Sequence, residues 1–546
     1  MTANSASTNG TKTISADFII VGGGFGGCYA LYKLRQAGYS AKLLEAGSDF
    51  GGVWHFNAYP GARVDTEVPI YQLSVRDAWR DFQFTERFPD HVKLREYFAQ
   101  MVEKLDLRKD TIFNSRVVEA QVDPSSGHWT LLTENGIKTS SQYVIFATGT
   151  TNKAYIPDFA GLDQFQGTVL HPCRWPSSLD IKGKRVGIIG QGASGLQILQ
   201  EMAKEDAELT VFVRTPPAAL PMRQRQLSAL EVEQEKAQYG MQFQQAKYKS
   251  ESAYAHDGPA TGFDKTTPEE RERLYNELWT RGGYTILTMT YVEHTYDKTA
   301  NADLYNYWVK TVRARMRDPE KRDIMAPLKQ FQWMGTKRPN LEVDYYEMID
   351  RPNVKLVSLK EHEIRTFTPT GIVTAGPAGE TTHDLDIVIM ATGYDSVTGS
   401  LYDMNIKGKD GVVLQESWAG SIQTYLGMMA PGLPNAFMLY GPQAPSGLVS
   451  GPAFLELQVD WIDKFLSMMR ESKKERFEVK PAVAKSYVQR NLDIYDRSLS
   501  KETPSWWNGS NIPGKTREPL FWVGGLQSWR RETEDALKDL ERFELR

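Results

Sequence analysis

Two glycine-rich turns carry the spacing in this chain that points most directly to chemistry. Each follows a short apolar run and reads G-x-G-x-x-G, with Gly22, Gly24 and Gly27 in the first turn and Gly190, Gly192 and Gly195 in the second. Glycines in such a turn let the backbone approach a pyrophosphate, and the helix that follows points its N-terminus at that charge. The spacing therefore predicts two dinucleotide sites.

The residues that end the next strand of each unit indicate different nucleotides. Glu45 closes the run 41–44 about 20 residues after the first turn, where a carboxylate can accept from ribose hydroxyls. Arg214 and Thr215 close the run 209–213 in the second unit. A cation and a hydroxyl favour a 2′-phosphate, so the sequence predicts FAD at the first site and NADPH at the second.

These units imply an α/β fold with two Rossmann-like domains and a helical insertion. Dividing the length by roughly 150 residues allows about three or four domains. Glu, Gln, Lys and Arg dominate residues 226–330, which are predicted to be a helical insertion that either shapes a substrate mouth or only packs. The predicted divisions are a disordered tail (1–15), a first FAD part (16–155), a first NADPH part (156–225), the insertion (226–330), a second NADPH part (331–385), and a second FAD part with a C-terminal loop (386–546).

Three loops carry further polar or aromatic residues. Gly52, Val53 and Trp54 precede a Gly- and Pro-rich loop that ends at Asp65, and Lys337 and Arg338 precede a proline that disfavours helix. From the residues alone, Asp65 fits either a carboxylate that binds loop amides or an acid in a site. The Lys-Arg pair equally fits a solvated turn, and Trp506 with its neighbouring tryptophan fits a core.

One segment resembles the fingerprint of the type I Baeyer–Villiger monooxygenases, which use FAD and NADPH. Its motif F-x-G-x-x-x-H-x-x-x-W-P is formed by Phe165, Gly167, His171, Trp175 and Pro176. The similarity extends from about residue 17 to residue 525 and includes both glycine turns, two Ala-Thr-Gly segments and the Lys-Arg pair. The resemblance implies that His171 and Trp175 act as a hinge between domains, not as an acid or a base.

The resemblance also implies roles for the loop residues. Gly52, Val53, Trp54, Tyr71 and Asp65 would surround the flavin. Lys337 would join Arg214 and Thr215 on the 2′-phosphate, and Arg338 would face the flavin. Trp506 would belong to a mobile loop, 505–515, that folds over the nicotinamide, and residues 443–449 would line the substrate pocket.

The implied reaction converts a ketone to an ester or lactone with O2. In that family NADPH reduces FAD, and a flavin C4a-peroxide attacks the ketone carbonyl. Arg338 suits an anionic site because arginine stays protonated, and Asp65 would balance its charge. Two alternatives remain open: a flavin-dependent N- or S-oxygenase, whose fingerprint lacks the Trp-Pro ending, and a non-catalytic flavoprotein that senses NADPH or carries electrons.

Composition excludes several other classes. Net charge is −4, which gives no bulk attraction to nucleic acid or acidic membranes. Two cysteines, Cys28 and Cys173, provide no disulfide framework, no metal cluster and no redox pair of the disulfide-reductase kind. Without an apolar run of about 18 residues, we expect a cytoplasmic enzyme, a monomer or weak oligomer, whose partners are a small ketone and O2.

Overall fold

Two sheets, one behind each glycine turn, organise the fold. The computed structural model describes residues 13–255 and 261–546. The first sheet has eight strands: in spatial order Ile406–Lys407, Val117–Val122, Trp129–Thr133, Lys138–Phe146, Thr13–Val21, Ala41–Leu44 and Thr111–Ile112, with Ala436–Met438 also pairing with Lys138–Phe146. The strand before the first glycine turn is central and pairs in parallel with Ala41–Leu44 and Lys138–Phe146.

The second sheet is entirely parallel and has five strands. Their spatial order is Val354–Ser358, Ala207–Val213, Lys184–Ile189, Ile387–Met390 and Thr168–Leu170. The strand before the second glycine turn again lies between the strand that ends at the Arg214 position and the strand that leads to Ala-Thr-Gly. The prediction of two α/β units, each with a glycine turn after a central parallel strand, is confirmed.

Each glycine turn packs against the end of an Ala-Thr-Gly strand. Gly22 and Gly190 adopt φ values of +110° and +97°, which favour glycine. A Cβ atom on Gly22 would overlap the carbonyl oxygen of Ala147, and one on Gly190 would overlap that of Ala391. Both turns therefore require glycine at their first position for the same two reasons, a positive φ and a nearby carbonyl oxygen.

Helices cover both sheets. Those outside the insertion are Phe25–Gln36, Val53–Phe56, Arg76–Trp79, His91–Lys104, Ala193–Met202, Tyr345–Ile349, Gly399–Tyr402, Leu414–Ser417, Gly451–Glu471, Pro481–Tyr495 and Leu526–Lys538. Smaller pairs are Leu220–Pro221 with Leu341–Glu342 and Phe477–Val479 with Phe543–Leu545, and three antiparallel strands span Glu363–Thr368, Gly371–Gly376 and Gly379–Asp384. Within 13–255 and 261–546, no helix is both long and apolar enough to cross a membrane.

Where it is described, the segment 226–330 consists mainly of helices joined by turns, and part of it shares a core with the second sheet. Buried Trp279, Leu304 and Trp308 pack in one cluster with Val186 and Ile188 of that sheet. The insertion thus packs on both domains: its Trp279, Leu304 and Trp308 join the core of the second, whereas its Val232 joins the core of the first. Its helices are Ala229–Lys236, Tyr239–Tyr248, Pro268–Arg281, Thr285–Thr288, Lys298–Arg313 and Pro319–Met325.

Two predicted boundaries need correction. Residues 13–15 were expected in the tail but form the start of strand Thr13–Val21, paired with residues 138–140; this pairing joins backbones and does not require apolar side chains. Residues 1–12 of the predicted tail lie outside the described residues. The boundary at 386 is also wrong, because Ile387–Met390 pairs with both neighbouring strands of the second sheet.

Candidate active site

A single cleft of about 1610 Å³ joins the two glycine turns. It runs from the first turn past the loop of Asp65 and Arg338 to the second turn. The predicted site residues that line it are Gly22, Gly24, Glu45, Gly52, Val53, Trp54, Asp65, Tyr71, His171, Gly190, Gly192, Arg214, Thr215, Lys337, Arg338 and Trp506. Tertiary structure therefore brings together side chains that are widely separated in sequence.

The first turn is built to receive an anion. Helix Phe25–Gln36 begins at Gly24 without a side-chain cap, whereas the surface helix His91–Lys104 is capped by Asp90. Uncapped N–H groups beside a cleft attract phosphate. Glu45 is buried behind the turn, and its carboxylate accepts from the N–H groups of Gly23 and Gly47, at 2.5 Å and 2.6 Å.

Aromatic residues close the wall beside this turn. Trp54 Nε1 donates to the Tyr71 hydroxyl over 3.0 Å, and the two rings meet edge to face with centroids 5.9 Å apart. Trp54 follows Gly52, whose positive φ of 54° places the chain directly against Gly24. These contacts hold a rigid apolar surface next to the uncapped helix, which suits a flat ring system.

The second turn carries the same uncapped helix but the opposite charge. Gly192 begins helix Ala193–Met202 without a side-chain cap. Arg214 and Thr215 are exposed beside it, and Lys337 is half-buried. Burial, and then the positive charge of Arg214, lower the pKa of Lys337 to about 8. Two neighbouring cations at a helix N-terminus fit a dinucleotide with an additional phosphate, so the residues present fit NADPH here and FAD at the first turn.

Between the two turns, Arg338 and Asp65 form a two-point ion pair. Arg338 Nε and one terminal nitrogen donate to the two carboxylate oxygens, both over 2.7 Å, and the other terminal nitrogen donates to the Gly447 carbonyl over 2.9 Å. Burial alone would raise the pKa of Asp65, but the charge and hydrogen bonds of Arg338 hold that pKa below its usual value. The pair therefore remains ionised and faces the cleft.

Tyr284 completes this cluster and was missed by the sequence analysis. Its hydroxyl lies 2.7 Å from Asp65 Oδ2 and 2.9 Å from the Pro339 carbonyl oxygen. The ring lies under the guanidinium of Arg338, 5.0 Å from its central carbon. A signal was present in the sequence, because the pair Gly282–Gly283, of a kind that often ends a helix, directly precedes Tyr284. Helix Pro268–Arg281 does end there, and both glycines adopt positive φ.

The fingerprint residues lie mostly behind the cleft. His171 Nδ1 accepts from the Cys173 N–H, so its Nε2 carries the proton and donates to the Gly393 carbonyl over 3.0 Å. Burial lowers the pKa of His171, in agreement with this neutral form. The rings of Phe165 and Phe367 pack edge to face, with their centroids 6.2 Å apart. Gly167, Trp175 and Pro176 do not line the cleft.

The predicted loop 505–515 lies over the cleft. Trp506 is half-buried and lines the cleft, whereas Trp507 is 7% exposed and packs against Phe521. Lys515 binds Asp395 over 2.7 Å, and Asn511 donates to the Tyr394 carbonyl. The two tryptophans therefore differ: one faces the cleft and the other is core.

Part of the predicted pocket segment lies near Arg338. Within 443–449, Ser446, Gly447 and Val449 line the cleft. Tyr440, Pro452 and Leu455 also line the cleft. None of the described residues of 226–330 lines the cleft itself, so the insertion contributes through Tyr284, from behind Asp65 and Arg338.

Comparisons with known proteins identify similar monooxygenases. Residues 16–221 match the family model FMO-like, described as flavin-binding monooxygenase-like. The chain is 36% identical over 547 residues to cyclopentanone 1,2-monooxygenase from Comamonas sp. (strain NCIMB 9872), covering 100% of this chain and 98% of that protein.

Solved structures are similar over nearly the whole chain. A cyclohexanone monooxygenase from Rhodococcus sp. Phi1 bound to NADP+ superposes with a TM-score of 0.93 at 32% identity, covering 98% of this chain and 100% of that one. OTEMO in complex with FAD and NADP superposes with a TM-score of 0.92 at 31% identity and the same coverage.

Proposed function

This chain belongs to the type I Baeyer–Villiger monooxygenase family, and on that premise we propose that it inserts an oxygen atom beside the carbonyl of a cyclic aliphatic ketone. The family resemblance of the sequence is confirmed, and so are its implications of an NADPH-dependent flavin monooxygenase that uses FAD and converts ketones to esters or lactones. The N- or S-oxygenase alternative is not favoured.

The choice of a cyclic ketone is supported by two of the similar proteins and by the wall of the cleft. One relative is named for cyclopentanone and one similar structure is a cyclohexanone monooxygenase. Val449, Pro452 and Leu455 provide apolar surface in the same cleft that Gly447, which accepts from Arg338, also lines. A hydrocarbon ring can lie against that surface while its carbonyl lies toward the charged pair.

The charged residues of the site have different roles. When bound, FAD activates O2 with electrons that NADPH supplies. Arg338 holds a fixed positive charge toward the cleft, since burial would lower its pKa but Asp65 raises it well above the usual value. Asp65 balances that charge and orients the guanidinium. Lys337, Arg214 and Thr215 would bind the 2′-phosphate, and Trp506 would cover the nicotinamide and exclude water.

The observation that carries the proposal is the ionised Arg338–Asp65 pair in the cleft that joins both dinucleotide turns. The test is aerobic NADPH consumption by the purified yellow protein with cyclopentanone, cyclohexanone, a linear ketone, an amine and a sulfide, with products identified by gas chromatography. Lactone formed with ketone-stimulated NADPH use would support the proposal. Oxidation of only the amine or sulfide, or hydrogen peroxide as the only product with every substrate, would contradict it.

We also propose that the enzyme works in the cytoplasm as a monomer or weak oligomer. Cytoplasmic NADPH would supply the reductant, and both cysteines are free, as expected of a reducing compartment. Sedimentation velocity across a range of protein concentrations would measure the oligomeric state, and a stable assembly at low concentration would contradict this part of the proposal.

A further inference from the structure

We infer that Tyr284, contributed by the helical insertion, is a positioning residue that orients the Asp65 carboxylate and through it the Arg338 guanidinium. The inference rests on the proposed function, because it assigns the insertion a part in the same site. Three contacts of the Tyr284 side chain support it, with Asp65, with Pro339 and with Arg338.

The local backbone is shaped to deliver Tyr284 to this point. Helix Pro268–Arg281 ends at Gly282, and the N–H of Gly283 donates to the Pro221 carbonyl over 2.9 Å. Gly282 and Gly283 both have positive φ, and a Cβ on Gly282 would overlap the side chain of Arg223. The chain therefore reverses sharply, and Tyr284 is 3% exposed next to Asp65.

The hydroxyl of Tyr284 has one proton and two nearby acceptors. The carboxylate of Asp65 is charged and closer, so it is the favoured acceptor over the neutral Pro339 carbonyl. Burial raises the pKa of Tyr284 well above its usual value, which keeps the hydroxyl a donor. Asp65 Oδ2 thus accepts from both Tyr284 and Arg338 Nε, which fixes the rotation of the carboxylate.

The ring of Tyr284 acts on the second partner. Its face lies 5.0 Å from the central guanidinium carbon of Arg338, within the range of a cation–π contact. One side chain thereby touches both members of the ion pair. Four further tyrosines on several elements lie near Asp65, and burial together with the Asp65 charge raises the pKa of each, so their hydroxyls stay neutral: Tyr59, Tyr71, Tyr254 and Tyr440.

The test removes the hydroxyl alone. Tyr284→Phe retains the ring, and we expect the ester formed per NADPH consumed to fall by about three- to tenfold, with the difference appearing as hydrogen peroxide, because a hydrogen bond to a charged group is lost. Binding of NADPH, measured as Kd, should not change, because Tyr284 does not line the cleft. Tyr284→Leu removes the ring as well and should lower the yield further.

Tyr275→Phe is a matched control. Tyr275 lies in the same insertion and is 2% exposed, and its hydroxyl donates to the Asp303 carboxylate over 3.1 Å, but it does not line the cleft. Loss of that hydroxyl should leave the ester yield near wild type. An unchanged yield in Tyr284→Phe, or an equal fall in both variants, would overturn the inference.

A second readout does not depend on ketone oxidation. In the FAD-loaded protein, Tyr284→Phe should lower the thermal unfolding midpoint by about 2 °C. In an Asp65→Ala background the same substitution should have little effect, since the acceptor is gone. If Asp65→Ala does not fold, Asp65→Asn replaces it and should reduce the effect by half or more. If the two substitutions lower the unfolding midpoint additively, the positioning role is wrong. If their effects are not additive but the wild type forms no lactone, only the proposed function is wrong.

Discussion

Arg338 and Asp65 are 273 positions apart in sequence, yet two hydrogen bonds of 2.7 Å join the guanidinium to the carboxylate. Their side chains are 21% and 29% exposed, so the pair is sheltered but open to the cleft. At this exposure the two charges interact more strongly than they would in water, and each depends on the other for its charge balance.

We expect Arg338→Ala to lower the rate of lactone formation by at least about 100-fold, the scale seen when a preorganised charge is removed from a site. NADPH Kd should change little, because Lys337 and Arg214 remain. Arg338→Lys keeps the charge but loses the two-point geometry and should also be strongly impaired. Gas chromatography and NADPH titration measure the two quantities.

Arg271→Ala serves as the comparison for Arg338→Ala. Arg271 also binds a carboxylate, Asp303, over 3.1 Å, but it lies in the insertion and does not line the cleft. Its loss should not affect lactone yield in protein that remains folded. A near wild-type rate in Arg338→Ala would show that the charge is not needed.

Lys337 should make NADPH affinity depend on pH. Its pKa of about 8 is below the usual value for lysine, and a bound phosphate would favour the charged form and raise that pKa. Affinity for NADPH should therefore fall as pH rises from 7 to 9 and the free ammonium loses its proton, whereas NADH affinity should not. In the Lys337→Met variant, NADPH affinity should change little between pH 7 and pH 9. If it falls as steeply with pH as in the wild type, another group is titrating.

The glycine turns should separate the two cofactors. A Cβ on Gly27 would overlap the carbonyl oxygen of Gly22, and one on Gly195 would overlap that of Gly190. Gly27→Ala should yield protein with little bound FAD, measured by absorbance near 450 nm. The Gly195→Ala variant should retain FAD, but NADPH should reduce that FAD slowly. Gly240→Ala, where the new Cβ would meet no atom within 4 Å beyond its chain neighbours and its own helix backbone, should change neither property.

Trp506 and Trp507 are adjacent but should respond differently to substitution. Trp506→Ala should raise the KM for NADPH and increase hydrogen peroxide formation, because Trp506 lines the cleft. Trp507→Ala should destabilise the fold by about 3–5 kcal/mol, the usual cost of truncating a buried tryptophan. Steady-state kinetics and thermal unfolding distinguish them, and equal effects on stability would place both residues in the core.

Lys247 and Glu456 tie the insertion to the first domain. Their side chains are 7% and 0% exposed, their charged atoms are 2.5 Å apart, and Glu456 also accepts from the Ser74 N–H and hydroxyl. Lys247→Met should cost about 3–5 kcal/mol, because it leaves a buried charge without its partner. Lys310→Met breaks the exposed pair with Glu272 and should cost under about 1 kcal/mol. Denaturant unfolding compares the two variants.

Local sequence determined the two nucleotide units. A G-x-G-x-x-G turn after an apolar strand depends on contacts within one β-turn-α-β unit, so Gly22 to Glu45 and Gly190 to Arg214 could be interpreted from spacing alone. The contrast between an acid and a cation at equivalent positions needed no distant contact. The family motif then supplied a reaction, which the comparisons confirm.

Only the tertiary structure decided what surrounds the reacting groups. Tyr284 meets Asp65 because a Gly-Gly reversal brings the insertion behind the cleft, and no local pattern encodes a partner 219 positions away. Strand Ile387–Met390 belongs to the second sheet because pairing, not position along the chain, defines a sheet. Trp506 and Trp507 differ in role because only the folded chain determines which ring faces the cleft. Contacts between distant segments depend on packing, and short sequence motifs carry no record of it.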